Sequence, residues 1–196
     1  MLRNKLIFSV AHENLEIMKK QITAFLSISL LALTTAVGFA GEHPLSTIQG
    51  TQIDLKAYDH AFAGSIKGFV AFGAMDEETF TSELTFRKDG KLVKAAFAME
   101  NGKLTGLIRH DTEKGTVETA LYLARIDRAQ NQLIFSVNGK EMVVSITADG
   151  FANNHFMNPT YKTNFNGEEI SFTLKGQACY GFSAHLAILI LGAYLH

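Results

Sequence analysis

Apolar and polar side chains alternate most regularly along the stretch from Thr79 to Arg109. Three short segments in it are joined by Lys88-Asp89-Gly90-Lys91 and by Glu100-Asn101-Gly102-Lys103. A period of two buries one face of a β-strand and exposes the other. Asp-Gly and Asn-Gly supply the positive φ angles that tight hairpin turns need. The pattern therefore predicts a β-meander.

Shorter alternating segments extend this pattern in both directions. It predicts strands over 52–58, 133–137, 142–146 and 170–174, and one long glycine-punctuated strand over 62–74. We also expect a strand over 116–126, although the spacing of its apolar residues would suit a helix as well. Turn signals recur between these segments, which is typical of an all-β domain: an antiparallel β-barrel or sandwich built from hairpins.

The C-terminal stretch departs from the alternation, since His185 is the one polar residue between Ala184 and Leu195. The composition predicts a short apolar helix capped by Ser183, with a buried closing strand as the alternative. Such a helix is too short to span a bilayer. An all-apolar segment must be covered by the barrel, by a membrane or by a second subunit, so a homo-oligomer formed through this segment is one expectation.

Residues 18–40 have the three parts of a secretory signal peptide: two lysines, a mostly apolar run, and a Gly38-Phe39-Ala40 cleavage site. We expect cleavage after Ala40, which makes 41–196 a single β-rich domain located in the periplasm or secreted. Residues 1–17 resemble neither a signal nor part of a domain. We interpret them as an over-extended N-terminus ahead of an initiator at Met18.

The charge and cysteine content of Gly41–His196 exclude some classes of protein. It carries 14 basic and 17 acidic residues, a net charge of −3, and lacks a basic run. Phosphate binding needs a concentrated basic face, so we do not expect nucleic acid as a partner. Cys179 is the only cysteine, so an internal disulfide framework is excluded, and a chain of this size can form a core without one.

Six residues are candidate metal ligands in the exported chain: His43, His155, Met157, Cys179, His185 and His196. His43 would be the third residue after cleavage, where the free amine, two amide nitrogens and the imidazole can form a square-planar site for Cu(II) or Ni(II). His155-Phe156-Met157 carries an imidazole and a thioether on the same side of an extended chain. This tripeptide resembles one fragment of the His and Met motif of periplasmic copper chaperones, and the resemblance covers these three residues only.

The second cluster runs from Cys179 to His185. Its spacing does not match the patterns of structural zinc sites or of attached haem. The alternatives are an inert buried thiol beside a packed histidine, a copper or haem ligand, and a nucleophilic cysteine with a histidine base. In a helix His185 and His196 would lie nearly on one face. The sequence contains no nucleophile elbow, phosphate loop or paired-carboxylate signature, so an enzyme is the weaker interpretation.

These features favour an exported, non-enzymatic binding protein for a small apolar ligand or a transition metal. The alternative is a structural or interaction module of the cell envelope that uses the apolar C-terminal segment. A third hypothesis is an outer-membrane β-barrel, because alternation also describes strands that cross a membrane.

Overall fold

The computed structural model describes residues 45–58, 61–76, 81–88, 91–100, 103–112 and 115–195, in which 12 antiparallel strands form a closed barrel. The elements are β1 Ser46–Gly50, β2 Ile53–Tyr58, β3 Ala61–Ile66, β4 Phe69–Asp76, β5 Thr81–Lys88, β6 Lys91–Glu100, β7 Lys103–Thr112, β8 Gly115–Asp127, β9 Gln132–Val137, β10 Lys140–Thr147, β11 Gly150–Ala152, β12 His155–Met157, β13 Thr160–Phe165, β14 Glu168–Lys175, β15 Gln177–Ala178 and the helix α1 Tyr180–Gly192. The barrel confirms the predicted all-β class and decides against the sandwich.

The barrel is an up-and-down meander in which each strand from β1 to β10 pairs with the next. β13 then pairs with β10, and β14 pairs with both β13 and β1, which closes the wall. β11, β12 and β15 form a separate three-stranded sheet. Since β11 follows β10 and β15 follows β14, this small sheet lies at the barrel end where those two strands finish. We call it the small-sheet end.

The register confirms the predicted central meander. Lys88 pairs with Lys91 and Glu100 with Lys103, so each connection is two residues long. The conformations of Asp89-Gly90 and Asn101-Gly102 lie outside the described residues. At Asn138-Gly139 the φ angles are 48° and 79°, which is the positive-φ pair that a primed hairpin turn requires. The segment over 116–126 lies within β8, so its interpretation as a strand was also right.

The prediction of one long strand over 62–74 was wrong, because a hairpin divides this segment into β3 and β4. Lys67 and Gly68 form the turn, with φ angles of 52° and 75°. The signal was missed because lysine occupies the position where asparagine or aspartate usually marks such a turn. The hairpin reverses the expected facing of β4, so that Val70 and Phe72 point outward, 49% and 46% exposed.

The C-terminal segment is a helix, as expected, but its cap differs from the prediction. Cys179 is the N-cap, and its Sγ accepts a hydrogen bond from the backbone N–H of Phe182 at 3.4 Å. Ser183 lies inside the first turn instead, where its hydroxyl contacts the hydroxyl of Tyr161 at 2.9 Å. Ser183 is fully buried, so its hydroxyl needs this partner and does not serve as a cap.

Helix α1 occupies the lumen of the barrel. Every residue of α1 from Ala184 to Leu191 is at most 4% exposed. Gly192 lies against Ala95 on β6 and Ile108 on β7, whereas Ser183 contacts Tyr161 on the opposite wall. Eight strands enclose a lumen that side chains alone can fill. A twelve-stranded barrel is wider, and the helix fills the additional space.

The helix therefore takes part in the same core as the inward side chains of the wall. The sequence analysis allowed the apolar segment to be covered by the barrel, by a membrane or by a second subunit. In the structure the barrel surrounds it. No helix in the described part of the chain is long and apolar enough to cross a membrane.

Candidate functional site at the small-sheet end

The small sheet begins with a hairpin that the sequence analysis did not predict. Asn153 and Asn154 join β11 to β12 with φ angles of 50° and 62°. Asparagine tolerates the left-handed region better than most residues, so an Asn-Asn dipeptide can form a two-residue turn without glycine. This dipeptide was the available signal in a segment without regular alternation.

The two faces of β12 differ in burial. Phe156 is buried, and its partner across the sheet, Ala178 on β15, is buried as well. His155 and Met157 are half-buried on the other face. The Cγ of Met157 lies beside Gly150, 3.9 Å from where a Cβ would stand on that residue. The imidazole and the thioether therefore share one face, as the alternation predicts.

Cys179 directly follows β15, which pairs with β12. Met157 pairs with Gln177, and Phe156 pairs with Ala178. Cys179 is the next residue, and its backbone is still extended at φ −78° and ψ 171°. Continuing the register by one residue brings Cys179 opposite His155. The backbones of three of the six predicted ligands, His155, Met157 and Cys179, therefore lie close to one another.

A backbone contact orients the imidazole of His155. Its Nδ1 lies 2.8 Å from the carbonyl oxygen of Asn153, so Nδ1 carries the proton and donates it to this oxygen. Nε2 is then the nitrogen with a lone pair for a ligand. Metal-binding histidines usually have this arrangement, in which the second ring nitrogen donates to a carbonyl or carboxylate.

An aromatic cluster fixes the small sheet to the first turn of α1. The rings of Phe151 and Phe156 lie 4.8 Å apart, and the rings of Phe156 and Tyr180 also lie 4.8 Å apart. The Tyr180 hydroxyl donates to Oδ1 of Asn131 at 2.7 Å. The guanidinium of Arg128 lies 5.3 Å from the centre of the Tyr180 ring. The donor face therefore rests on a packed framework, which sequence reasoning missed because its members come from four separate segments.

The backbone spacing of His155, Met157 and Cys179 is that of neighbouring positions in a sheet. Side chains directly opposite in an antiparallel pair have Cβ atoms about 5 Å apart, and residues two apart on one strand are separated by about 7 Å. Imidazole, thioether and thiolate are donors that suit Cu(I). In the described part of the chain no group of three or more His, Cys, Asp and Glu side chains could hold a metal ion. A metal site here would therefore depend on the thioether of Met157.

The remaining candidates do not join this group in the described residues. His43 and His196 lie outside them. His185 is in the lumen, with its Nδ1 3.3 Å from Oγ of Ser82 on β5. Its Nε2 is buried and has no hydrogen-bond partner among the described residues. No hydrogen bond joins His185 to Cys179, so the thiol and base pair considered from the sequence is not formed.

Tyr161 on β13 and His185 on α1 are buried polar groups in a strongly apolar environment. Burial raises the pKa of Tyr161 well above its usual value, more than the hydrogen bond with Ser183 lowers it, and Cys179 raises it further. Burial also lowers the pKa of His185. Both shifts favour the neutral forms of Tyr161 and His185, because burial disfavours a charged side chain.

We expect the barrel to lose stability as the pH falls below about 6.5, the ordinary pKa of histidine. The unfolded chain takes up a proton at His185 near this pH, whereas the folded chain, with its lowered pKa, does so only at lower pH. The contribution of His185 is therefore fully present above pH 6.5 and decreases below it, by up to about 1.4 kcal/mol per pH unit. Urea unfolding at a series of pH values measures the slope.

A matched pair of variants isolates the contribution of His185. His185→Gln should flatten the profile below pH 6.5, and Leu45→Ala, which removes no titratable group from an exposed position, should leave it unchanged. If both variants keep the slope of the unmodified protein, His185 does not cause it.

Comparison with known proteins adds no assignment to this site: no family model, no curated protein and no solved structure matches the chain.

Proposed function

We propose that this chain is an exported, non-enzymatic protein that binds a soft transition-metal ion, Cu(I), through His155, Met157 and Cys179. The observation that supports the proposal is the pairing of β12 with β15, which puts the backbone of Cys179 beside those of His155 and Met157. Met157 and Cys179 are 22 positions apart in the sequence, so the proximity of their backbones comes from the fold.

The filled lumen favours a metal over a small apolar ligand. A barrel that binds an apolar molecule needs an empty interior of matching size. Here the helix occupies that interior, and the Leu and Ile side chains from Leu186 to Leu191 are buried in it. A haem group would need a similar apolar slot. A single metal ion needs only the donor face of the small sheet.

The distribution of charge favours a barrel surrounded by water over one embedded in lipid. Outward positions within the strands carry ion pairs: Arg109 with Glu118 at 2.8 Å and Arg125 with Glu141 at 3.0 Å. Membrane barrels have the opposite arrangement, with an apolar band outside and a polar interior. Here the interior is apolar, which supports the binding-protein hypothesis over the outer-membrane one.

We expect residues 41–196 to bind one Cu(I) ion, measured by competition with a chromogenic Cu(I) chelator under reducing conditions. Cys179→Ser, Met157→Leu and His155→Gln should each weaken binding by at least the roughly 10- to 100-fold typical of residues that support a metal site. X-ray absorption of the loaded protein should detect both sulfur and nitrogen neighbours of copper.

His110→Gln is the matched control, because it removes an imidazole from β7, outside the small sheet. Its Cu(I) affinity should equal that of the unmodified protein. The proposal is wrong if His110→Gln weakens binding as much as the three site variants do, or if the unmodified protein does not compete with the chelator.

A further inference from the structure

The outward face of β4 combines exposed apolar side chains with cations. Val70 and Phe72 are two residues apart and point away from the core. A residue row along the sheet runs through Phe72: Lys56 on β2, Ala63 on β3, Phe72, Thr85 on β5 and Lys94 on β6. The two lysines therefore lie two strands away on either side of Phe72, about 10 Å from it.

The neighbouring row runs through Val70. It contains Asp54 on β2, Ser65 on β3, Val70, Arg87 on β5 and Leu92 on β6. We call the residues of these two rows the β4 face. The face carries three cations and one acid, although 41–196 as a whole has a net charge of −3. Glu83 lies opposite Ala74 on the next row.

The cations of the β4 face differ from those elsewhere on the wall. Among the described residues Lys56, Arg87 and Lys94 form no ion pair, whereas Lys67 is paired with Glu168 at 3.1 Å. Arg109 and Arg125 are also paired, as described above. Unpaired cations around exposed Phe and Val side chains are the chemistry that an anionic lipid surface recognises: cations contact the headgroups and apolar groups enter the interface.

We propose that the β4 face docks the protein on the surface of a bilayer that contains anionic lipid. Phe72 and Val70 would enter the headgroup region, and Arg87, Lys56 and Lys94 would contact lipid phosphates. The barrel would lie on the bilayer surface, outside the hydrocarbon, and its core and helix α1 would be unchanged. The proposal is independent of metal binding, since the β4 face and the small sheet share no residue.

Co-sedimentation of residues 41–196 with vesicles tests this docking. We expect binding to vesicles of phosphatidylcholine mixed with phosphatidylglycerol, little binding to phosphatidylcholine alone, and release as the NaCl concentration rises, because salt screens the attraction. Equal binding to both kinds of vesicle, or binding to neither, would overturn the proposal. The proposal would also be overturned if a soluble polyphosphate released the protein from anionic vesicles and Phe72→Ser did not weaken vesicle binding. That result would indicate a phosphate site without lipid insertion.

Three variants identify the face responsible. Phe72→Ser and Arg87→Gln should each weaken binding to anionic vesicles by roughly five- to tenfold. Val143→Ser is the control, since Val143 is also an exposed apolar residue, 41% exposed, on β10, where the nearby Arg125 and Glu141 neutralise each other. It should bind as the unmodified protein does. Circular dichroism verifies that each variant is folded, and an equal loss in Val143→Ser and Phe72→Ser would refute the assignment to the β4 face.

Discussion

Removal of residues 180–196 is expected to leave the barrel unfolded or insoluble. Five Leu and Ile side chains lie between Leu186 and Leu191, all at most 2% exposed. Each contributes about 1.5–3 kcal/mol when buried, and the whole stability of a domain is only about 5–15 kcal/mol. Without α1 the inward side chains of the wall would line a lumen too wide for them to fill.

A point variant tests the same idea in a chain that still folds. Leu189→Ala should lower the free energy of unfolding by about 2–5 kcal/mol, the range for truncating a buried leucine. Leu45→Ala is the control, because Leu45 is 74% exposed, and it should change the value by less than about 0.5 kcal/mol. Urea unfolding followed by far-ultraviolet circular dichroism measures both. A soluble truncated chain with an unchanged melting temperature would show that the helix is not part of the core.

Gly64→Ala should be among the most damaging single substitutions in the wall. Gly64 has a φ of 151°, and a Cβ there would overlap the carbonyl oxygen of Asp54 and lie 2.9 Å from the Cα of Leu55. Both atoms belong to the backbone of β2, so they cannot move aside without disrupting the pairing of β2 with β3. We expect a loss of about 3 kcal/mol or more, from steric overlap and backbone strain together.

Gly115→Ala separates these two causes. Gly115 also has a positive φ, 121°, but no described atom lies within 4 Å of its Cβ position. This variant should lose only about 1 kcal/mol, the cost of strained backbone. Denaturant unfolding of the two variants side by side gives the difference. If they lose equal amounts, the close approach of β2 to Gly64 has no energetic consequence.

The wall of the barrel was predictable from sequence because alternation is a local property of each strand. Leu84 and Phe86 indicate their common face without reference to other segments, and both are buried. Turns were predictable where Asn-Gly marks them, and the hairpin at Lys67-Gly68 was missed because lysine gives no such signal. The number of strands and the closure of β14 on β1 depend on pairing between distant residues, which no local pattern encodes.

The candidate site shows the same limit. His155 and Met157 were expected on one side because they are two residues apart on an extended chain. Cys179 joins them only through the register of β15 against β12. His185 was separated from the group because α1 enters the lumen, where Ser82 is its contact. The apolar composition of α1 predicts that it is buried, but it does not indicate by which strands.

The closure of β1 on β14 also bears on how the chain acquires its structure. Thr47 pairs with Lys175, so the first and last strands of the wall meet only after almost the entire domain has been synthesised. Pairing across so long a sequence separation carries a large loop-closure cost and slows folding. Because α1 follows β14, the helix must be enclosed as the last seam forms. If the chain is exported as we expect, its apolar C-terminus crosses the membrane before the barrel wall can enclose it. We therefore expect the protein to need chaperones on both sides of that membrane.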